Sequence, residues 1–442
     1  MSKLRNVLVR VVFSFTKKKY IALVGLVLAG CSPAIETTVD AGSQPDAAAV
    51  ADAGQTLVGA CLASDPASCA YAPAKLYKEG TKIEKTLSYV DIAGLKRTLH
   101  IEIRRPKAAL KLSPLIVWSH GGADGKTDPS KSGVAWGKSF NSAGFIAIAI
   151  AHPPRGAESA RALCVALKLG DCDLVSCDSK KTKVCTRGAA PNEEIGVCEP
   201  DPTLGASYCR SFKTLNWDRP PDLRKVLDWV EAEASGGILD GVVDTSRIAY
   251  AGHSAGAGST MMVAGAARRF RATAEDHVAI DTRPVAFMSC SPQGPDDSGF
   301  TTASFTRKRC EELATPEDRA GCLTRPHLVL TSRGDGGDTA GENRRLSFDL
   351  APAGDRYLGY ITELASQHTT FDLATEGCEG YAKDNKLGPE FPARCHTYRV
   401  WIRSAALAFF DATLRDDAKA KAYLASGNMS VLSGGALEWT LK

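Results

Sequence analysis

Several absences narrow the class of this 442-residue chain before any motif is read. No sign of charge dominates: the formal net charge is +4, and residues 1–30 hold six of the 54 Lys and Arg and no acid, which leaves 48 basic against 50 acidic side chains beyond them. A large basic footprint for nucleic acid is therefore not expected. No apolar run approaches the roughly 20 residues that a bilayer core requires. No Cys-x-x-Cys pair and no zinc-finger His spacing accompanies the cysteines, which argues against a metal site. No internal repeat is visible, and no organic cofactor is implied. What remains is a composition of 44% apolar and 24% charged residues, able to bury a substantial core. The length allows up to three domains, although a large α/β chain uses this much sequence as one.

The N-terminus has a basic stretch (Lys3, Arg5, Arg10, Lys17, Lys18, Lys19), then an apolar run ending in Leu28-Ala29-Gly30-Cys31. Residues 20–30 are too short to span, so 1–30 read as a signal peptide. Its end resembles the processing site of bacterial lipoproteins, in which the Cys after Leu-Ala-Gly carries the lipid. That resemblance implies lipidation of Cys31, export and a membrane as partner; Ser32 at the next position favours the outer membrane. Residues 32 to about 58 are rich in Ala, Asp and Gly and cannot repay the entropy of ordering, so they read as a tether. The expected organisation is a leader (1–30), a tether with a disulfide-bearing lead-in (31–75) and a folded body (76–442).

Thirteen cysteines remain beside Cys31, a number expected of an oxidising compartment. Local spacing pairs Cys61 with Cys69, Cys310 with Cys322, and Cys378 with Cys395. Cys164, Cys172, Cys177, Cys185, Cys198 and Cys209 supply three more bridges whose wiring spacing alone leaves open among fifteen connectivities. Cys290 is left over, either lining a pocket or inert in the core.

Apolar runs predict strands at 83–92, 97–104, 115–119, 145–151, 247–251, 285–289, 327–331 and 357–364. Amphipathic stretches predict helices at 133–143, 220–234, 255–269 and 397–414. The short, nearly all-apolar strands are those of a parallel sheet buried on both faces, and the alternation gives a doubly wound, mostly parallel α/β sheet with ligands at the carboxyl ends of its strands. The Cys-rich, polar segment 161–215 breaks this alternation. It reads as a disulfide-stapled insertion, either a cap over the substrate entrance or a surface decoration.

The chemical signal is Gly252-His253-Ser254-Ala255-Gly256, entered from an apolar strand and left by an Ala-rich helix. Strand, sharp turn and helix are what expose a serine hydroxyl at the top of a sheet, and the glycines relieve crowding in the turn. A serine nucleophile needs a His base oriented by a carboxylate, in the chain order Ser, acid, His. His368, directly after the strand at 357–364, is the best-placed base; His277, His327 and His396 sit in a charged stretch, inside a strand and beside a Cys. Asp335, after the strand at 327–331, is the candidate acid, with Asp338 as rival. The oxyanion would be held by backbone N–H groups of Ala255 and of Gly122, with Gly121 the alternative. His120 is expected to brace that loop by hydrogen bonds.

At these residues the chain resembles a known group. Val117-Trp118-Ser119-His120-Gly121-Gly122, Ala151-His152-Pro153, Arg219-Pro220-Pro221-Asp222, the turn at Ser254, Ser289-Cys290-Ser291-Pro292-Gln293-Gly294 and His368-Thr369-Thr370-Phe371 are similar to α/β-hydrolases of the dienelactone hydrolase-like and platelet-activating-factor acetylhydrolase-like group. Polyester-degrading cutinase-like enzymes are cousins. The resemblance covers about 95–425 and implies an α/β-hydrolase fold and a serine ester hydrolase, with Ser254 as nucleophile, Asp335 as acid, His368 as base, and Gly122 with Ala255 as oxyanion hole. The chain departs from dienelactone hydrolases in having Ser254 where they use Cys, and from the common pattern in Gly122 and the insertion. The substrate is left open among a small carboxylic ester, a phospholipid acetyl ester and a polyester. A non-catalytic binding lipoprotein on the same fold is the competing reading.

Overall fold

The computed structural model describes residues 61–442 except 108–111, 123–127, 130–132, 170–171, 183, 188–193, 202–203, 212–215, 271–274, 314, 337–339, 365–367, 373–376 and 385. Cys31, the leader and the tether lie outside the described residues, as does Asp338.

Strands β1 (Glu79–Val90) and β2 (Lys96–Pro106) form an antiparallel hairpin. Its turn is closed by the Asp91 side chain, which accepts the backbone N–H groups of Ala93 and Leu95, each at 2.9 Å. β1 is the sheet edge and exposes Lys85, with Lys82 paired to Glu84, charges that discourage edge pairing with another chain. β3 (Ser113–Ser119) and β4 (Ile146–Ala151) are buried along their whole length. Strands β9 (Val243–His253), β12 (Pro284–Cys290), β13 (His327–Ser332) and β14 (Arg356–Ile361) continue the parallel sheet. β15 (Leu437–Leu441) closes the far edge antiparallel to β14. The order is β1-β2-β4-β3-β9-β12-β13-β14-β15.

Alternate residues of each central strand serve different cores, which is the pleat expressed as packing. Ile116, Trp118, Ala249 and Ala251 meet Trp136 and Phe140 of the helix Val134–Ser142 and Ile402, Ala405 and Phe409 of the helix Glu390–Leu414. Leu115, Val117, Ile248 and Tyr250 meet Leu223, Val226, Leu227 and Val230 of the helix Arg219–Ala234. Helices on both faces of a mostly parallel sheet make this a doubly wound α/β sheet, the architecture the alternation of strands and helices predicts.

The insertion begins within a helix, Ala157–Ala166, and forms its own antiparallel sheet from β5 (Val175–Cys177), β6 (Val184–Arg187), β7 (Glu194–Asp201) and β8 (Ala206–Ser211), ordered β5-β8-β7-β6. Strands this short carry little periodicity, so the sequence reads there as irregular. The wiring left open by spacing is Cys164–Cys172, Cys177–Cys198 and Cys185–Cys209. Cys61–Cys69, Cys310–Cys322 and Cys378–Cys395 are also bridged, and Cys290 is free and buried.

Several boundaries differ from expectation, two of them for local reasons. The helix after Ser254 stops at Ala264 rather than 269, because Gly265 takes φ +120° and the N–H groups of Gly265 and Ala266 turn back to Met262 O (3.1 Å) and Met261 O (2.8 Å). Arg268–Arg269 (β10) then pairs with Asp276–His277 (β11) instead of continuing the helix. The long helix expected from 397 starts at Glu390 instead, since Pro392 falls in the first turn, where no N–H is needed. β14 ends at Ile361 instead of 364.

Candidate active site

Ser254 lies between β9 and the helix Ala255–Ala264, at φ +53° and ψ −117°, a conformation that only surrounding structure can impose on a residue with a side chain. Its N–H donates to Cys290 O at 2.9 Å, which ties the turn to the end of β12. The flanking glycines are demanded by close approach: a Cβ on Gly252 would stand 2.5 Å from Gly256 C, and one on Gly256 would stand 2.1 Å from Ser119 O. Ala255 opens the helix, where the first N–H groups have no intrahelical partner and the helix dipole favours negative charge.

Asp335 follows β13 and is fully buried. His368 opens a short 3₁₀ turn, His368–Asp372, after β14, and its Nδ1 lies 2.6 Å from Asp335 Oδ1. The other carboxylate oxygen accepts the Thr331 hydroxyl at 2.8 Å, and Arg344 Nε stands 3.3 Å from Oδ1. Burial alone would raise this carboxyl; the His368 hydrogen bond and the Arg344 guanidinium outweigh it and hold it at about 2. Asp335 is thus ionised at neutral pH and accepts the hydrogen bond of the Nδ1–H, which leaves Nε2 as the unprotonated ring nitrogen.

His368 is held against the serine turn through its neighbour. The rings of His253 and His368 lie 4.6 Å apart, and His253 Nε2 donates to His368 O at 3.0 Å. Burial, and then the proximity of His368, push His253 down to about 4, so it stays neutral. From the other side the Trp136 indole N–H donates to Phe371 O at 2.9 Å. Neither His253 nor Trp136 is signalled by a motif spacing, because each acts on a loop backbone.

The remaining histidines are placed elsewhere. His327 is buried against Ser289 Oγ (2.9 Å), His277 packs on Trp217, and His396 pairs with Glu379 (2.6 Å). Cys290 is buried in the core, and burial raises its thiol well above the ordinary range.

The loop expected to hold an oxyanion reaches the serine: a Cβ on Gly121 would stand 3.2 Å from Ser254 Cβ. A buried network braces this loop from behind. His120 Nδ1 donates to Gly121 O (2.6 Å) and its Nε2 accepts His152 N–H (3.2 Å), which fixes its tautomer. Arg219 donates to the carbonyls of His120 and Gly122 and to Ser119 Oγ (3.1 Å). Ser119 Oγ meets His152 Nε2 at 2.8 Å, and His152 Nδ1 meets Asp222 Oδ2 at 2.7 Å. Asp222 also accepts Arg97 through both oxygens (2.7 and 2.9 Å) and the Tyr89 hydroxyl (2.8 Å). Three segments far apart in sequence, around 119–122, 152 and 219–222, converge here. Their charged residues flanking buried strand ends are a faint signal in the sequence.

The insertion stands close to the same elements. Arg155 before it and Asp218 after it form a bidentate pair (2.6 and 2.7 Å), and Cys164 and Leu169 pack with Met261, Met262 and Phe270 around the end of the helix Ala255–Ala264. Among the described residues, no three His, Cys, Asp or Glu side chains gather in a way that could hold a metal ion, and no helix is long and apolar enough to cross a membrane.

No family model and no curated protein matches the sequence. Among solved structures, a ferulic acid esterase from Streptomyces cinnamoneus is similar over 78% of this chain and 93% of its own, at 18% identity and a TM-score of 0.44.

Proposed function

We propose that the protein is a serine carboxylic ester hydrolase working through an acyl-enzyme, with Ser254 as nucleophile, His368 as base and Asp335 as acid. The observation that carries this reading is the 2.6 Å bond between His368 Nδ1 and the buried Asp335, on a loop packed against the strained turn of Ser254. His368 Nε2 takes the Ser254 proton as Oγ attacks the ester carbonyl. The backbone N–H groups of Ala255 and Gly122 receive the developing oxyanion, and the brace behind Gly122 keeps that donor from yielding. The alcohol leaves with the proton carried by His368; water then gives its proton to His368, attacks the acyl carbonyl, and releases the acid and free Ser254.

The motifs shared with dienelactone hydrolase-like and acetylhydrolase-like proteins support a small or lipid-like ester, with a polyester as the wider alternative. The six disulfides agree with export, and the sequence around Cys31 with a lipid anchor at the outer membrane. A fluorophosphonate probe followed by peptide mass mapping tests the nucleophile. Labelling at Ser254 is expected; a folded protein that takes no label would be a binding lipoprotein instead.

A further inference from the structure

The helices Val134–Ser142 and Glu390–Leu414 pack on one face of the sheet, and between their outward sides lies a cavity of about 470 Å³. Its volume is within the roughly 300–1,000 Å³ of small-molecule sites. Lys138 enters it from the first helix, and His396, Arg399 and Arg403 from the second. The last three recur at i, i+3 and i+7 and so share one helix face.

Among the described residues, no carboxylate lines the cavity. Glu379, beside it, is engaged by His396 Nε2 at 2.6 Å, and neither Lys138 nor Arg403 forms an ion pair among the described residues. Arg399 is half-buried, with one nitrogen 3.5 Å from His396 Nδ1 and 3.6 Å from Cys378 Sγ. Burial lowers its affinity for the proton and the Arg403 charge lowers it further, against the pull of Glu379. Like charges converging on one partly desolvated hollow repel each other, and an anion placed among them removes that cost.

We propose that this cavity is a binding site for a phosphate-class anion, either free phosphate or the phosphodiester of a lipid headgroup. Phosphate is favoured over a simple carboxylate by charge and number: one guanidinium fork satisfies a carboxylate, whereas two arginines and a lysine match the spread of oxygens and the greater charge of a phosphoryl group. The site is independent of the reaction proposed at Ser254.

The test is calorimetric titration of the full chain at low salt with inorganic phosphate and, separately, with monomeric dihexanoylphosphatidylglycerol. The same titrations are made on a Lys138→Gln/Arg403→Gln variant, whose two positions are exposed and outside the core. Binding of at least one ligand by the wild type is expected, weakened about tenfold or more in the variant, as loss of two charge-assisted contacts requires. Tighter binding of phosphate identifies the free anion as the ligand class, and tighter binding of the lipid identifies a headgroup. No binding of either at millimolar concentration, or equal binding by the variant, overturns the proposal. Thermal unfolding of the variant, expected at the wild-type temperature, shows that any loss is not a failure to fold.

Discussion

Ser254, His368 and Asp335 at the strand ends share their residue types with Ser119, His152 and Asp222 just beneath them. The His–Asp bonds are nearly equal, 2.6 Å in the first set and 2.7 Å in the second. The serine of the buried set even touches its imidazole, at 2.8 Å. What separates them is access and charge. Ser254 and His368 keep part of their surface open, whereas Ser119, His152 and Asp222 are buried and the Ser119 hydroxyl oxygen already accepts a hydrogen bond from Arg219. Burial, followed by the charges of Arg219 and Arg97, holds His152 far below its usual range, so it cannot take up a proton at neutral pH. Two sets of identical composition thus separate into an accessible set, proposed above as the reacting one, and a buried brace behind it.

The largest difference should follow removal of the two serines. Ser254→Ala is expected to lower ester hydrolysis by roughly 10⁴-fold or more, measured as kcat/KM on a p-nitrophenyl ester. The acids should diverge next. Asp335→Asn is expected to cost about 10³- to 10⁴-fold in kcat while the protein stays folded, because the imidazole loses its orienting acceptor. Asp222→Asn should act chiefly on stability, by about 3–5 kcal/mol in denaturant unfolding, since it leaves Arg97 buried with a weakened partner.

The acid pH dependence sharpens the contrast. Asp335 sits at about 2 when folded against an ordinary 3.8, so its ionised form stabilises the fold above about pH 4. That contribution, about 2 kcal/mol, is lost as pH falls through about 2. Unfolding of wild type and Asp335→Asn compared between pH 7 and pH 2 should show the gap closing on the acid side; a gap independent of pH would mean that the carboxylate is not held in this way. The smallest effect is expected of Ser119→Ala, about 1 kcal/mol of stability and hydrolysis within a few-fold of wild type, because Arg219 keeps its bonds to the loop carbonyls.

Much of this was legible in the sequence where local pattern and tertiary role coincide. The runs at 115–119 and 327–331 are apolar because both sheet faces bury them, and Gly252 and Gly256 mark a turn that tolerates no side chain. Asp335 and His368 follow strands, so position alone nominates them, and the structure brings them together. The brace was not legible as such: Arg97, His152 and Asp222 are separated by tens of residues, and only the sheet joins them. β15 was missed because five residues after a Gly-Gly turn carry too little pattern, and the insertion sheet because its disulfides, more than apolar periodicity, define it.

The most direct test sets the two serines side by side: initial rates of p-nitrophenyl acetate hydrolysis by wild type, Ser254→Ala and Ser119→Ala, each checked for folding by thermal unfolding. The expected result is a rate abolished in Ser254→Ala and kept in Ser119→Ala. A folded Ser254→Ala protein that hydrolyses the ester at the wild-type rate would contradict the account.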